Sequence, residues 1–272
     1  MSRTTYGNKP GNDEEGRYEA GVPLKEDSDK YKILEAGEFM AGVNDPSLLG
    51  TVIPDAQTER LLRFGFIRKV YGILSIQLLL TFAVSAICVL SDTVREGILD
   101  NVWTVYVGFI LSIGLLIGLL MFRDRYPTNM YMLAAWTLVE AYTVGVVCAA
   151  YATRGQGTVL VQAAGLTLAV FLGLTIFTFQ SKIDFSFLGG ALFAGLWILL
   201  LWGLVMAIFG FKQSYLYSLG GAVLFSLYIL YDTSLLLYKL EYDEYIVASI
   251  SLYLDIINLF LYILRLMARN DR

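Results

Sequence analysis

The sequence contains no histidine and only two cysteines in 272 residues. Histidine-ligated metals, haem held by a proximal histidine and Ser-His catalytic relays all need the missing residue, so we expect none of these chemistries. Cys88 and Cys148 both lie in apolar stretches. This placement favours buried thiols over a disulfide and leaves the redox compartment open.

Charged residues are also scarce: they make up 16% of the chain, whereas soluble domains average about a quarter. Residues 1–58 hold six basic and eleven acidic residues and no sustained apolar period, which predicts a disordered acidic tail. The net charge of −4 comes from this tail, and we expect no nucleic-acid partner. Tyr31-Lys32-Ile33-Leu34 fits a tyrosine-based sorting pattern, which we interpret as incidental. The polar start predicts no cleavable signal peptide.

Apolar residues are abundant instead, at 57% of the chain. A bilayer core of about 30 Å needs roughly 20 apolar residues of helix. Seven stretches qualify, near residues 70–90, 102–122, 130–150, 158–179, 187–209, 215–238 and 246–266. Their connections are short, so consecutive helices should run antiparallel and pack side by side. We predict an all-α, seven-helix transmembrane domain over residues 59–272.

Loop charge predicts the orientation of these spans. Eight basic residues precede the first span or follow the second, fourth and sixth: Arg60, Arg63, Arg68, Lys69, Arg123, Arg125, Lys182 and Lys239. The opposite loops hold only Arg95, Arg154 and Lys212. We therefore expect a cytosolic N-terminus. Arginines after the seventh span conflict with the rule, so that segment either crosses fully or re-enters, and we favour a full crossing: Arg265, Arg269 and Arg272.

Three acids lie well inside the predicted spans: Glu140, Asp232 and Asp255. Ionisable residues within a membrane mark function by default, and no Lys or Arg lies at their depth. At 1.5 Å per residue, the acids lie between about 9 and 15 Å from the cytosolic ends of their spans. The sixth and seventh spans are joined closely enough for Asp232 and Asp255 to face one another. Glu140 completes a triangle if the third span packs against that pair.

Two carboxyl groups in contact in a low dielectric cannot both ionise cheaply, so the aspartates should share a proton near neutral pH. Ca²⁺ could replace that proton, because it prefers carboxylate oxygens. Ser251 and Asn258, about one turn on either side of Asp255, extend a polar stripe on its face. The sequence thus predicts a proton-sensitive site where Asp232 and Asp255 bind calcium. The alternative is that each acid is protonated and hydrogen-bonded to a neighbouring helix.

Four strings carry a family resemblance: Leu138-Val139-Glu140-Ala141, Tyr231-Asp232-Thr233, Asp243-Glu244-Tyr245-Ile246 and Leu252-Tyr253-Leu254-Asp255-Ile256-Ile257-Asn258-Leu259-Phe260. They resemble the Bax inhibitor/lifeguard family of transmembrane proteins over about residues 60–272, and the last string is the most specific. The lifeguard branch fits best, because the lysine-rich C-terminus of the Bax inhibitor branch is absent.

The resemblance implies a seven-helix bundle in which six helices surround the last one. It also implies a pH-sensitive calcium leak in the endoplasmic reticulum, Golgi or vacuole membrane, with Asp232 and Asp255 as the pH sensor. A role in calcium homeostasis, in ER stress and in the suppression of cell death follows, with cell-death regulatory membrane proteins as partners. Arg123 matches the basic group that latches the closed state, although Arg125 could serve instead. No enzyme activity is implied, and no cofactor beyond calcium as the permeant ion.

Two other classes of function stay open. Tyr231-Asp232 and a second aspartate on the next helix also fit an intramembrane aspartyl protease, in which two carboxyl groups activate water. However, Leu252-Tyr253-Leu254-Asp255 stands where that class needs Gly-x-Gly-Asp, and its Pro-Ala-Leu element is absent. The other class is an interaction protein that modulates cell-death factors through its helices or its tail.

Overall fold

The computed structural model describes residues 56–101, 103–211 and 214–270. Helices make up nearly all of this part: α1 (Ala56–Leu90), α2 (Asp92–Asp100), α3 (Trp103–Met121), α4 (Thr128–Thr153), α5 (Gly157–Gln180), α6 (Gly189–Phe209), α7 (Tyr215–Tyr238) and α8 (Tyr245–Asn270). A 3-10 turn, Phe185–Leu188, leads into α6. The predicted disordered tail up to residue 55, the Tyr31 motif, Lys212 and Arg272 lie outside the described residues.

Seven helices, α1 and α3 to α8, are long and apolar enough to cross a membrane. They coincide with the seven predicted spans, so the all-α, seven-helix fold is confirmed. The bundle surface is itself apolar, with side chains such as Ile110, Ile198 and Leu216 at 71%, 69% and 75% exposed. Exposing so continuous an apolar surface to water is unfavourable, whereas contact with lipid tails is not. The chain is a multi-pass membrane protein.

Helix α1 differs from the prediction in where it starts. It runs without a break from Ala56 to Leu90, whereas hydropathy placed the first span at residues 70–90. The turns before residue 70 contain basic residues. These residues lower the hydropathy of that part of the helix, but they still favour helix formation. Phe66 and Ile67 of this extension are buried at 4% and 9% exposed. The extension therefore packs on the bundle, and a bilayer-length criterion alone cannot detect it.

Helix α2 lies in the first connection, where the sequence analysis placed only a loop. Ser91 caps its N-terminus by accepting a hydrogen bond from the backbone N–H of Val94 at 3.5 Å. Arg95 donates to the carbonyl of Val89 at 2.7 Å and pairs with Asp92. These local bonds stabilise a helix too short and too polar to be found by its apolar length.

Helix α8 is the most buried of the seven spans: 67% of its apolar stretch is buried, against 11% for the segment of α6. It packs against α4, α5 and α7. Tyr253 of α8 also reaches α1, where its hydroxyl lies 2.9 Å from that of Thr81. The helix is uninterrupted over 26 residues, as a full crossing requires. That six helices surround α8 stays a prediction.

Two of the glycines at close helix contacts are Gly145 and Gly221. A Cβ on Gly221 of α7 would overlap the ring of Tyr262 on α8, so α7 and α8 touch along this face. A Cβ on Gly145 of α4 would lie 2.8 Å from Sγ of Cys88 on α1. Small residues at such crossings let transmembrane helices pack closely. Cys88 and Cys148 are both buried and unpaired, as the sequence analysis favoured.

Candidate functional site

The close packing of α7 and α8 brings Asp232 and Asp255 together. Their carboxyl groups are neighbours and interact with each other. Asp255 is buried at 4% exposed, and Asp232 is half-buried. Among the described residues no group donates a hydrogen bond to Oδ2 of Asp255. Because two ionised carboxylates cannot bond to each other, their contact requires a shared proton or a cation between them.

A tyrosine lies beside the aspartate pair. Tyr228, one turn before Asp232, lies near both aspartates, and its ring meets that of Tyr231 edge-on at 6.4 Å. None of the ion pairs in the described part of the chain includes either aspartate. A proton or a cation is therefore what can balance their charge.

Glu140 lies in a different set of contacts. Ser112 of α3 donates a hydrogen bond to its Oε1, and Nε1 of Trp136 donates to the same serine at 3.1 Å. The hydrogen bonds of the described residues thus connect Glu140 to α3 and to neither aspartate. The hydrogen bond to Ser112 is the contact that fixes the Glu140 carboxyl group, and the predicted triangle of three acids stays a prediction. The sequence had no means to choose the partner helix.

The two flanking polar residues also fall outside the pair's hydrogen bonds in the described part of the chain. Asn258 donates to the carbonyl of Leu254 at 2.8 Å, within α8 itself. Ser251 is half-buried. The predicted stripe exists as a spacing along α8, but the amide of Asn258 is already engaged by its own helix.

Arg123 contacts the start of α8. Its guanidinium lies 3.8 Å from Glu244 and 3.6 Å from Asp124. Asn129, buried at 1% exposed, donates to the backbone carbonyl of Arg123 at 2.6 Å and to the hydroxyl of Tyr245 at 3.1 Å. Arg123 therefore lies over the connection between the two aspartate-bearing helices. Arg125 does not share this place: its guanidinium lies over the ring of Phe122 at 5.3 Å.

Two further basic residues hold the same connection, and the sequence analysis used them only to set orientation. Arg63 of α1 donates to the carbonyl of Leu240 at 2.6 Å and to that of Leu236 at 3.4 Å. These carbonyls lie at the end of α7, where helices leave such acceptors unsatisfied. Nζ of Lys69 lies 3.1 Å from the ring centroid of Tyr245. The extension of α1 thus anchors the α7–α8 connection.

Asp184, in the connection between α5 and α6, anchors the same end of α7. It accepts hydrogen bonds from the backbone N–H of Ser186 at 2.9 Å and from the hydroxyl of Ser234 at 3.0 Å. Nζ of Lys239 lies 3.5 Å away. The hydrogen bonds from Ser186, with smaller effects of Ser234 and Lys239, lower the pKa of Asp184 to about 2. This carboxylate therefore stays ionised at neutral pH and is no pH sensor there.

The described residues contain no cluster of three or more His, Cys, Asp or Glu side chains that could hold a metal ion. Calcium sites that retain their ion use six to eight oxygen ligands. Two carboxyl groups alone suit an ion that binds briefly and leaves.

Seven membrane-crossing helices with an acid pair between the last two define the class of protein, and comparison with known proteins gives the family. The family model described as "Inhibitor of apoptosis-promoting Bax1" matches residues 63–272. The chain therefore belongs to the Bax inhibitor/lifeguard family, which confirms the resemblance found in its four strings.

Three relatives show how far the similarity extends. The "Golgi anti-apoptotic protein" of vaccinia virus (strain Lister) is 42% identical over 234 residues, which cover 85% of this chain and 96% of the viral protein. "Protein lifeguard 4" of Mus musculus is 40% identical over 233 residues, covering 85% and 95%. "Bax inhibitor 1" of Schizosaccharomyces pombe is 36% identical over 225 residues, covering 79% and 80%.

Proposed function

We propose that this chain is a passive, pH-sensitive calcium leak that dampens cell death from an intracellular membrane. The observation that carries the proposal is the contact between Asp232 and Asp255, inside the bundle and without a basic partner among the described residues. Membrane-buried acids of this kind commonly lie on ion or proton pathways.

Competition between protons and Ca²⁺ at the pair supplies the pH sensitivity. When one proton is shared, the pair carries a single negative charge and is a poor calcium ligand. When that proton leaves, two carboxylates face each other and attract a divalent cation. Calcium binding should therefore weaken as the pH falls. Because no third acidic side chain clusters with the pair among the residues that the structure describes, the bound ion can leave again.

The anchored connection between α7 and α8 is proposed as the closed-state latch. Arg123 pairs with Glu244 immediately before α8, so movement of α8 relative to α3 must break this ion pair. We place the role of Arg123 here, at the end of the helix hairpin, rather than on the aspartates. Glu140 is proposed as a second acidic position of the pathway, with Ser251 and Asn258 as supporting polar groups.

The names of the relatives support the cell-death role. The viral relative is named a Golgi anti-apoptotic protein and the yeast relative Bax inhibitor 1. We propose the same effect for this chain, in the Golgi or endoplasmic reticulum membrane and with the N-terminus in the cytosol. Action through contacts with cell-death regulatory membrane proteins is the second candidate, favoured by the same names. A protease role is supported by the aspartate pair alone and by no other motif of that class.

Calcium flux through the purified chain tests the proposal. Full-length protein is reconstituted into liposomes loaded with Ca²⁺, and release is followed with an external calcium indicator at several pH values. We expect release above that of protein-free liposomes, and a rate that changes across near-neutral pH. Release no faster than from empty liposomes at every pH would refute the leak and leave the contact-mediated role.

A further inference from the structure

The four basic residues of α1 lie on different sides of the helix. Arg63 and Lys69 contact the α7–α8 connection. Arg60 and Arg68 are exposed, and neither enters an ion pair of the described part of the chain. Arg60 and Arg68 therefore belong to the outer side of α1, away from the contacts that hold the connection.

This outer side is the side of α1 that faces lipid further along the helix. Leu61 and Leu79 are 18 residues apart, and so are Phe64 and Phe82. Because 18 residues make five full turns of an α-helix, each pair lies on one line along α1. Leu79 and Phe82 are each 68% exposed within the apolar stretch. Leu61 and Phe64, before that stretch, are 51% and 65% exposed. The lipid-facing surface thus continues beyond the residues that hydropathy placed in the bilayer.

Basic and apolar side chains share this continuation of the lipid-facing surface. Arg60 and Arg68 lie four residues before and after Phe64, so the three side chains lie on one face of the helix. At 1.5 Å per residue, Arg68 and Phe64 lie about 3 Å and 9 Å before the apolar stretch begins at Val70. The headgroup layer is roughly 5–8 Å thick on each side of the hydrocarbon core, so both residues lie at headgroup depth. Arginine beside phenylalanine and leucine is typical of helices in this layer.

We propose that this face of α1, formed by Arg60, Leu61, Phe64 and Arg68, docks an anionic phospholipid of the surrounding membrane. A guanidinium group binds phosphate oxygens through paired, charge-assisted hydrogen bonds, while the leucine and phenylalanine side chains contact the acyl chains next to the headgroup. In the proposed orientation this end of the bundle meets the cytosolic leaflet, whose surface carries the anionic phospholipids. The docking is independent of calcium flux.

The acidic N-terminal segment of the chain is the other partner whose charge suits these arginines. Residues 1–58 hold eleven acidic and six basic residues, so charge alone does not separate this segment from an anionic lipid. The lipid is favoured because Leu61 and Phe64 continue the lines of Leu79 and Phe82, which place the face against the membrane. Electrostatic attraction to either partner is screened by salt, but the effect on lipid binding has opposite signs in the two cases.

Binding of fluorescent phospholipids to the full-length chain tests the docking surface. The purified chain is titrated in a non-ionic detergent against trace phosphatidylserine or phosphatidylcholine with the same labelled acyl chain, and fluorescence anisotropy gives each Kd. We expect phosphatidylserine to bind about tenfold more tightly than phosphatidylcholine. Arg68→Gln should weaken phosphatidylserine binding roughly fivefold and leave phosphatidylcholine binding nearly unchanged. Arg60→Gln, farther from the apolar stretch, should have a smaller effect in the same direction.

Arg125→Gln is the matched control, because it removes one positive charge at the same end of the bundle from a guanidinium that lies over the ring of Phe122. This variant should bind phosphatidylserine as the wild type does. Equal Kd values for the two lipids in the wild type would overturn the docking surface. A wild-type affinity in Arg68→Gln, or an equal loss in Arg125→Gln, would overturn it as well.

Salt and a soluble headgroup separate the lipid from other occupants. Raising the salt concentration should weaken phosphatidylserine binding, because it screens the attraction between the arginines and the headgroup. Binding that strengthens with salt would show that the acidic segment occupies the face, and would overturn the proposal. Soluble glycerophosphoserine, added at the concentration of the labelled lipid, should not displace it. Full displacement by this headgroup would show a phosphate site and not a lipid-docking surface.

Discussion

Nη1 of Arg63 lies 2.6 Å from the carbonyl oxygen of Leu240, and the guanidinium covers the ring of Tyr242 at 4.6 Å. Arg63 and Leu240 are 177 positions apart in the sequence. Through this contact the first helix holds the connection between the helices that carry Asp232 and Asp255. The candidate site is therefore supported by the part of α1 that precedes its apolar stretch.

Removing this anchor should destabilise the bundle. Arg63→Ala loses a charge-assisted hydrogen bond to a helix end and an aromatic contact, which we expect to cost roughly 1–2 kcal/mol. Arg63→Lys should recover only part, since an ammonium cannot bridge two carbonyls and stack on a ring. Arg68→Ala, at an exposed position of the same helix, is the control. Equal thermal unfolding midpoints in detergent for Arg63→Ala and Arg68→Ala would contradict the anchoring role.

The α7–α8 contact should depend on the absence of a side chain at Gly221. Gly221→Ala places a methyl group into the ring of Tyr262, and such overpacking typically costs about 1–3 kcal/mol. Gly220→Ala adds the same methyl group where no neighbour lies within 4 Å and should be neutral. Combining Gly221→Ala with Tyr262→Ala should recover part of the loss, as contacting residues couple. Thermal unfolding of Gly221→Ala, Gly220→Ala, Tyr262→Ala and the double variant decides this, and additive losses in the double variant would argue against the contact.

Glu140 should not set the pH dependence. Its Oε1 accepts a hydrogen bond from Ser112, and a glutamine side-chain oxygen can accept the same bond. We therefore expect Glu140→Gln to keep the wild-type pH profile of calcium flux, whatever its rate. A profile that flattens as it does without Asp232 would instead join Glu140 to the pair, as the triangle predicted from the sequence required.

Asp184 is a control carboxylate for the aspartate pair, because it titrates far below neutral pH. Its pKa is lowered from 3.8 to about 2 by hydrogen bonds, so its stabilising effect is present above its ordinary pKa. That effect is lost as the pH falls through about 2. Near neutral pH it is ionised throughout, and Asp184→Asn should leave the pH profile of flux unchanged. A shifted profile in this variant would show that the α5–α6 connection, and not the pair alone, responds to protons.

The sequence predicted the parts of the fold that depend on apolar length, and missed those that depend on packing. Seven spans follow from hydropathy, because the bilayer sets the length of each helix. The extension of α1 was missed, since its buried Phe66 and Ile67 are flanked by basic residues. Hydropathy did not predict helix α2, because the stability of this helix comes from the cap at Ser91 and the hydrogen bonds of Arg95.

The candidate site divides in the same way. Asp232 and Asp255 were found because a short connection fixes their relative depth. The hydrogen-bond partner of Glu140 was not predicted, because the spacing of residues along one helix does not tell which neighbouring helix a side chain faces.

Calcium flux against pH for the Asp232→Asn and Asp255→Asn variants tests the central claim most directly. The purified wild type, both variants and Asp184→Asn are reconstituted at equal protein density, and calcium release is measured across near-neutral pH. The account predicts a rate that varies with pH in the wild type and in Asp184→Asn, and rates that no longer vary in either pair variant. Wild-type pH dependence in both Asp232→Asn and Asp255→Asn would contradict it.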